Sequence, residues 1–511
     1  MASSVEGIVL IAIVFLIPLR LYSRYRKLSS IPGPFLANFT DLWRAYAQNY
    51  GTITTTLIKL HEKHGPLVRI GPNTIHVSDP AAVSTIYTNH GEFRKADSYS
   101  PLRVPTPRGK SIGSVIDMQD EDGNTLLKRG VGNAFATKTL LDYEHSVDET
   151  VSELARTIIE FPEFDLFTTI QFFQLDMLTQ LAFSENLGHL QNRRDVWGMV
   201  DPSRDRVAHW VRWQALPTLE YLLFQHPLFS WVTKRSSAWA LEALRKLANR
   251  EAAPAGKTEG QKDLLQKYVD AYKKNPAIGH DVIELMTTST ISAGFDSTTV
   301  TITTILFFLM KYPAAYDRLK QELEQAQLST PVPQWTEVNR LEYLDAVFKE
   351  AMRCNPFVTI PLERVVPPGG AVIVGKQVPA GTTVGCAAKV IHYNRELYGE
   401  DVEEFRPERW LTNPEKRLAM ERASMGFGSG KRVCLGRHIA ELEIKKLIPT
   451  LVLRFKVGYL SPFPIHVMTC GHADWLILTK MDLTTPDSSL EFADGLTAYP
   501  KTIMVRFEER K

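Results

Sequence analysis

Phe427-Gly428-Ser429-Gly430-Lys431-Arg432-Val433-Cys434-Leu435-Gly436 sets one cysteine among glycines and basic residues, just before a segment with strongly amphipathic helical periodicity. Where a helix begins, unsatisfied N–H groups and the positive end of the helix dipole stabilise a sulfur anion. Lys431 and Arg432 add positive charge. Gly428, Gly430 and Gly436 lack a Cβ, so the backbone can turn tightly and pass close to a flat object. The pattern suits a thiolate bound to iron beneath a planar macrocycle. Matching Phe, Gly, Arg, Cys and Gly at roughly one in twenty each gives a chance expectation on the order of one in ten thousand for the chain. That disfavours a merely structural cysteine in a glycine loop.

The rest of the composition is that of an ordinary globular protein. With 44% hydrophobic and 23% charged residues, a 511-residue chain buries a large core and shows no disordered or fibrous bias. A net charge of +2 with no basic stripe argues against nucleic acid as a partner. Cys354, Cys386, Cys434 and Cys470 are widely spaced, with no C-x-x-C pair, which disfavours zinc ribbons and disulfide frameworks. Such sparse cysteine usage fits a reducing compartment, so the catalytic part is expected to face the cytosol.

Gly7 to Leu21 is almost wholly apolar, and Arg20, Arg24, Arg26 and Lys27 flank its end. This predicts an N-terminal transmembrane helix with the basic flank, and everything after it, on the cytoplasmic side. The stretch is short, yet it fits a thin endoplasmic-reticulum bilayer. A cleaved signal peptide is the competing reading, but the early basic region and small-residue cleavage site are missing. Ile31-Pro32-Gly33-Pro34 then forms a stiff hinge that no helix can run through. The expected division is an anchor with its basic flank over residues 1–30 and one catalytic domain over 31–511.

Within that domain, Leu67–Ile70 and Thr74–Ser78 predict a hairpin around Gly71-Pro72-Asn73. Ala371–Val374 and Thr382–Val384 suggest a second small sheet. Helical periodicity covers Val147–Ile159, Leu175–Phe183, Ala238–Asn249, Val282–Lys311, Ala314–Gln327, Leu344–Arg353 and Ile439–Phe455. The fold class is therefore mainly α, a large helical domain with a smaller β-rich subdomain.

Two further motifs carry chemistry. The long helix has Ala293-Gly294-Phe295-Asp296-Ser297-Thr298-Thr299 at its centre, where hydroxyls can bond back to preceding carbonyls and a carboxylate precedes an alcohol, as a proton relay requires. Glu350 and Arg353 stand three apart on one helical face, and Arg409 in Phe405-Arg406-Pro407-Glu408-Arg409-Trp410 can join them in a buried charged network that locks the cysteine loop.

In this order, and over essentially the whole chain, these motifs resemble the cytochrome P450 family of haem-thiolate monooxygenases. The anchor and hinge resemble microsomal members. Ile31–Phe39, Gly65–Pro72 and Phe93–Tyr99 look like the fungal pisatin-demethylase-like branch. The resemblance implies haem b as cofactor, with Cys434 as axial iron ligand and Phe427, Gly430, Arg432 and Gly436 forming its loop. It implies proton delivery by Asp296, Ser297 and Thr298. Arg432 is the best candidate to pair a haem propionate, with Lys128 or Arg129 and Arg364 behind it. Two departures stand out: Ser297 replaces the usual Thr, losing the methyl that stiffens χ1, and Asn124 stands where Trp or His often precedes the basic residue by four.

Implied partners are a lipophilic small molecule, NADPH-cytochrome P450 reductase with cytochrome b5 as an optional donor, and the endoplasmic-reticulum membrane. Lys431, Arg437, Lys445 and Lys446 form the expected face for an acidic redox partner. Expected pocket segments are Tyr99–Gly113, Trp210–Trp231, Ile291 to Phe295, Phe357–Pro361 and Met468–Trp475, with Trp210–Trp231 also suited to dipping into a membrane. Two rivals remain open here: a haem-thiolate isomerase that uses no dioxygen, and a membrane-tethered haem sensor.

Overall fold

The structure, a computed structural model, describes residues 22, 25–90, 92–105, 111–112, 115–226, 238–254, 262–459 and 503–510. The apolar N-terminal stretch, Met468–Trp475, Cys470 and parts of the Tyr99–Gly113 and Trp210–Trp231 segments lie outside them. Eight helices position the site: α1 (Leu42–Asn49), α2 (Glu121–Val131), α3 (Leu140–Glu160), α4 (Leu166–Phe183), α5 (Val200–Trp213), α6 (His280–Lys311), α7 (Glu342–Cys354) and α8 (Arg437–Arg454).

Helix α6 runs through the middle of the main core, where Phe295, Ile302, Ile305 and Phe307 are all buried. It packs against α4, α7 and α8. Each such side chain contributes about 1.5–3 kcal/mol through removal from water. Gly294 has a packing reason: a Cβ there would come 2.8 Å from a Leu178 methyl on α4. Although α6 is long and apolar enough to cross a membrane, it is mostly buried inside the protein.

Helix α8 departs from the expected amphipathic pattern. Glu443, Lys445 and Lys446 are as buried as Leu447 and Ile448, because α3, α6 and the 313–325 helix cover it on several sides. Its two lysines are neutralised by neighbours instead of by water: Lys445 bonds Asp345 at 2.7 Å, and Lys446 pairs with Asp148 at 2.7 Å and with Glu144. The expected docking face therefore loses Lys445 and Lys446. Lys431 and Arg437 stay partly accessible, near Glu121 (3.4 Å) and Glu441 (3.6 Å) respectively.

The smaller sheet region contains β1 (Leu67–Gly71), β2 (Thr74–Val77), β3 (Arg94–Lys95), β4 (Arg364–Val365) and β5 (Thr383–Gly385), in the order β1-β2-β5-β4-β3. The predicted hairpin is β1 with β2. The second predicted sheet is corrected: Ala371–Ile373 pairs with Lys376–Val378, whereas β5 runs parallel to β2. Turn residues around 375 set the local hairpin, but a pairing across some three hundred residues leaves no local signal.

Candidate active site

Three residues before α8, Cys434 donates its backbone N–H to Phe427 O at 2.9 Å, closing the loop on itself. Gly428 (φ 71°) and Gly430 (φ 63°) take left-handed conformations. A Cβ on Gly430 would overlap the backbone of Tyr87, and the loop is tied to the next residue by Lys431 N–H donating to Thr88 O at 3.1 Å. Gly436 is different, with nothing within 4 Å of where its Cβ would stand.

Cys434 is so enclosed that burial is the largest influence on its thiol, pushing it above the ordinary value. N–H groups of Gly436 and Arg437 and the charges of Lys128 and Arg437 oppose that. Yet Cys434 keeps accessible surface, unlike Cys354 and Cys386. The thiol is thus surrounded by protein and still reachable by a ligand. The cations acting on it are Lys128 and Arg437, whereas Lys431 and Arg432 pair with Glu121. Lys128 Nζ also donates to Lys431 O at 2.7 Å, fastening α2 to the loop.

Around this loop, positive charge accumulates. Lys95 is buried over the ring of Tyr99 at 4.4 Å and donates to Ile116 O. Burial first, then the charges of Arg364, Arg432 and Lys128, push its ammonium well down. Arg364 Nη1 donates to Tyr99 Oη at 3.1 Å, and Arg432 Nη1 is buried without a partner. Asn124, one turn before Lys128, is fully buried with neither side-chain polar atom partnered. Arg129, one residue further along α2 and so about 100° round it, is exposed and leaves the group. Lys95 escaped the sequence reading because nothing local distinguishes it from a surface lysine.

On α6, Ala293 is exposed and Ser297 partly so, whereas Ile291, Phe295, Asp296 and Thr298 are buried. Spacing by four puts Ala293 and Ser297 on one face of the helix, and Thr301, a further turn on, is also partly accessible. Ser297 Oγ donates to Ala293 O at 2.8 Å, and Thr299 Oγ1 to Phe295 O at 2.6 Å, so the expected back-bonding occurs within an unbroken helix. Asp296 sits behind Ser297 instead of lining the space beside it. Ile291 and Phe295 belong to the core and not to the pocket wall.

The network at Glu350 matches the pattern expected from the motif. Its carboxylate accepts from Arg353 (2.8 and 2.9 Å), Arg409 Nε (3.0 Å), Trp410 Nε1 (2.9 Å) and Arg406 N–H (3.0 Å). Burial alone would raise Glu350, but Arg353 and Arg409 hold it below its ordinary value. The link onward to the cysteine loop was not legible in the sequence. His392 donates from Nδ1 to Arg353 O (3.3 Å), while its Nε2 accepts the N–H of Met425 (2.9 Å), two residues before Phe427. Burial, and then Arg353, pull its imidazolium down to about 3, so the ring is neutral and its tautomer fixed.

Replacing His392 tests this bridge. His392→Gln, which can present an acceptor near the Nε2 position, should preserve cofactor retention. His392→Asn keeps only the donor side and leaves Met425 N–H unsatisfied, at about 1–3 kcal/mol, with faster cofactor loss. Equal loss rates for the two variants would remove the role.

A mainly helical fold in which Cys434, alone among the described cysteines, is accessible before a helix, beside a cluster of buried cations, has the features of a haem-thiolate protein. The sequence model of Cytochrome P450 matches residues 32–470. A cytochrome P450 monooxygenase of Aspergillus terreus is 35% identical over 90% of this chain and 97% of its own length. Cytochrome P450 monooxygenase pkfB of Emericella nidulans is 33% identical (87% and 89%), and mfmA of Annulohypoxylon moriforme 32% (90% and 93%). The chain belongs to the cytochrome P450 family. It is an oxidoreductase of the monooxygenase type, and its cofactor is haem b, bound in this family through a cysteine thiolate.

The residues present fit that group. Lys95, Lys128, Arg364 and Arg432 lie close enough to influence one another, and the two propionate carboxylates of haem b supply the negative charge such a cluster calls for. The unpartnered Arg432 Nη1 and the amide of Asn124 are donors suited to carboxylate oxygens.

Proposed function

We propose that residues 31–511 form the catalytic domain of a membrane-anchored monooxygenase, with residues 1–30 as anchor, that inserts one oxygen atom from O2 into a lipophilic fungal secondary metabolite, a terpenoid, polyketide or aromatic compound. The carrying observation is Cys434, enclosed yet accessible before α8 and able to receive N–H groups from Gly436 and Arg437. Electrons come from NADPH-cytochrome P450 reductase, with cytochrome b5 as an optional second donor. The domain faces the cytosol from the endoplasmic-reticulum membrane. Exposed Phe35, Leu36, Phe39, Leu42 and Tyr46, with Leu219 and Tyr221–Leu223, support a membrane-facing side. Gln48 of α1 donates to Gln214, just after α5, at 2.7 Å, bringing these two regions together.

Bound haem with a thiolate ligand activates O2, consuming two electrons and two protons as substrate gains a hydroxyl and water leaves. In this reading Cys434 Sγ ligates the iron, and the N–H groups beside it temper the charge of the sulfur. Lys95, Lys128, Arg364 and Arg432 hold the propionates. Ser297 Oγ turns from Ala293 O to hand on a proton, and Asp296, the preceding residue on α6, replenishes it. The relay distinguishes this reading from an isomerase that needs no protons.

Ser297→Ala should lower product formed per NADPH consumed by about tenfold or more, the loss returning as peroxide. Ser297→Thr should restore coupling, since its β-branch fixes χ1. Unchanged coupling in Ser297→Ala would refute the relay. The whole reading is tested by reconstitution with reductase and candidate metabolites. Substrate-dependent NADPH consumption with a hydroxylated product is expected, and its absence despite haem-thiolate assembly would favour an isomerase or sensor.

A further inference from the structure

We propose that Tyr87 is a positioning residue of the haem site: it fixes the guanidinium of Arg364 relative to the cysteine loop, and through Arg364 it raises the reduction potential of the haem. This rests on the monooxygenase reading and adds to it a residue that no sequence motif marks. Tyr87 follows the short helix Ala82–Ile86 and is buried. Its backbone, hydroxyl and ring each make a different connection.

The backbone meets the cysteine loop. A Cβ on Gly430 would stand 2.0 Å from Tyr87 O, so only glycine lets the loop lie this close. The hydroxyl enters the ladder between β4 and β5. Arg364 pairs with Val384 and Val365 with Thr383, and the same register puts Leu362 opposite Cys386. Of the two bonds that such a pair exchanges, Leu362 N–H to Cys386 O is direct at 2.9 Å. The return bond runs through Tyr87: Cys386 N–H donates to Oη at 2.8 Å, and Oη donates to Leu362 O at 2.8 Å. Burial is the first of the influences that push this hydroxyl well up, so it stays a donor at neutral pH. The ring carries Arg364, whose guanidinium carbon lies 4.9 Å from the ring centroid.

Arg364 is thereby aimed. From the other side Tyr99 Oη accepts from its Nη1 at 3.1 Å, and Nη1 also donates to Glu363 O at 2.9 Å. The bonds of Arg364 among the described residues all leave from Nη1; Nε and Nη2 make none and, unlike Arg432 Nη1, both keep accessible surface. The carboxylate next along the chain, Glu363, is taken by Arg44, so Arg364 has no anionic partner of its own among the described residues. Two donors of a planar fork thus stay open toward a carboxylate, as a propionate requires.

The test reads the ferric–ferrous reduction potential and the propionate bending band in resonance Raman spectra of purified, haem-loaded protein. Tyr87→Phe keeps the ring and the Gly430 contact but leaves Cys386 N–H and Leu362 O without their bridge. It should shift the propionate band and lower the potential, because a guanidinium displaced from a propionate leaves more negative charge beside the haem and favours the ferric state. Tyr87→Leu, which also removes the ring beside Arg364, should shift both readings further. Arg364→Gln should give the full shift, and adding Tyr87→Phe to it should change neither reading, because a residue that acts through Arg364 then has nothing left to position. An equal shift from Tyr87→Phe with and without Arg364, wild-type readings in Tyr87→Leu, or no haem-loaded protein from Tyr87→Phe would overturn the proposal. A wild-type reduced CO complex without thiolate character would instead overturn the monooxygenase reading, and the Raman comparison would then still decide the role of Tyr87.

Discussion

Cys434→Ala is expected to abolish the thiolate-type spectrum of the reduced, CO-bound protein and all monooxygenase turnover. Among the described cysteines, Cys354 and Cys386 are buried away from accessible space, with burial pushing both thiols up to about 12, so neither can replace the lost ligand. The cations around Lys95 and Arg432 can still hold the propionates, so some haem should stay bound. Retained haem with an altered spectrum separates a lost ligand from a lost fold. Cys386→Ala serves as control and should keep the thiolate spectrum. Thiolate character surviving in Cys434→Ala would sink the assignment.

The second large effect is expected at Glu350. Its carboxylate is the common acceptor for Arg353, Arg409, Trp410 and the backbone at Arg406, all at 2.8–3.0 Å. Glu350→Ala leaves two buried guanidiniums without their shared carboxylate: among the described residues Arg409 keeps Asp401, while Arg353 keeps no paired carboxylate. Breaking a buried pair in this way costs about 3–5 kcal/mol, a large share of the roughly 5–15 kcal/mol that keeps a protein folded. Urea unfolding should show that loss, and haem content per chain should fall with it, because His392 passes the network's position to Met425. Glu350→Gln keeps an acceptor and should be milder. Native stability and full haem loading in Glu350→Ala would show that the network does not hold the loop.

The pH dependence follows in sign. Glu350 is held below its ordinary value in the folded state, so its contribution is complete above the unfolded carboxylate pKa of about 4.3 and is lost as pH falls through the lower, folded value. The network therefore stays charged through the neutral range.

Several parts of the site were legible before any folding because their chemistry is local. The cysteine loop, the Asp296-Ser297 pair and the Glu350–Arg353 spacing each need residues within one turn or loop of one another. Periodicity also exposed α6, whose apolar residues continue through all faces. It misjudged α8, since Lys445 and Lys446 look like a solvated stripe until Asp345, Glu144 and Asp148 arrive from other helices. The same reason hid the split of Ala371–Ile373 and Thr383–Gly385 between two sheets.

By itself, then, the sequence determined the helical class, the cysteine with its loop, the acid-alcohol pair and the charged pair that became the centre of a network. These follow from steric and hydrogen-bonding rules acting over a few residues. Only the tertiary structure decided which charges are buried. It put Lys95 with Arg364 and Arg432, buried Asp296 while leaving Ser297 partly accessible, and tied His392 to Met425. Electrostatic character depends on what surrounds a group in three dimensions, and residues distant in sequence supply most of those surroundings.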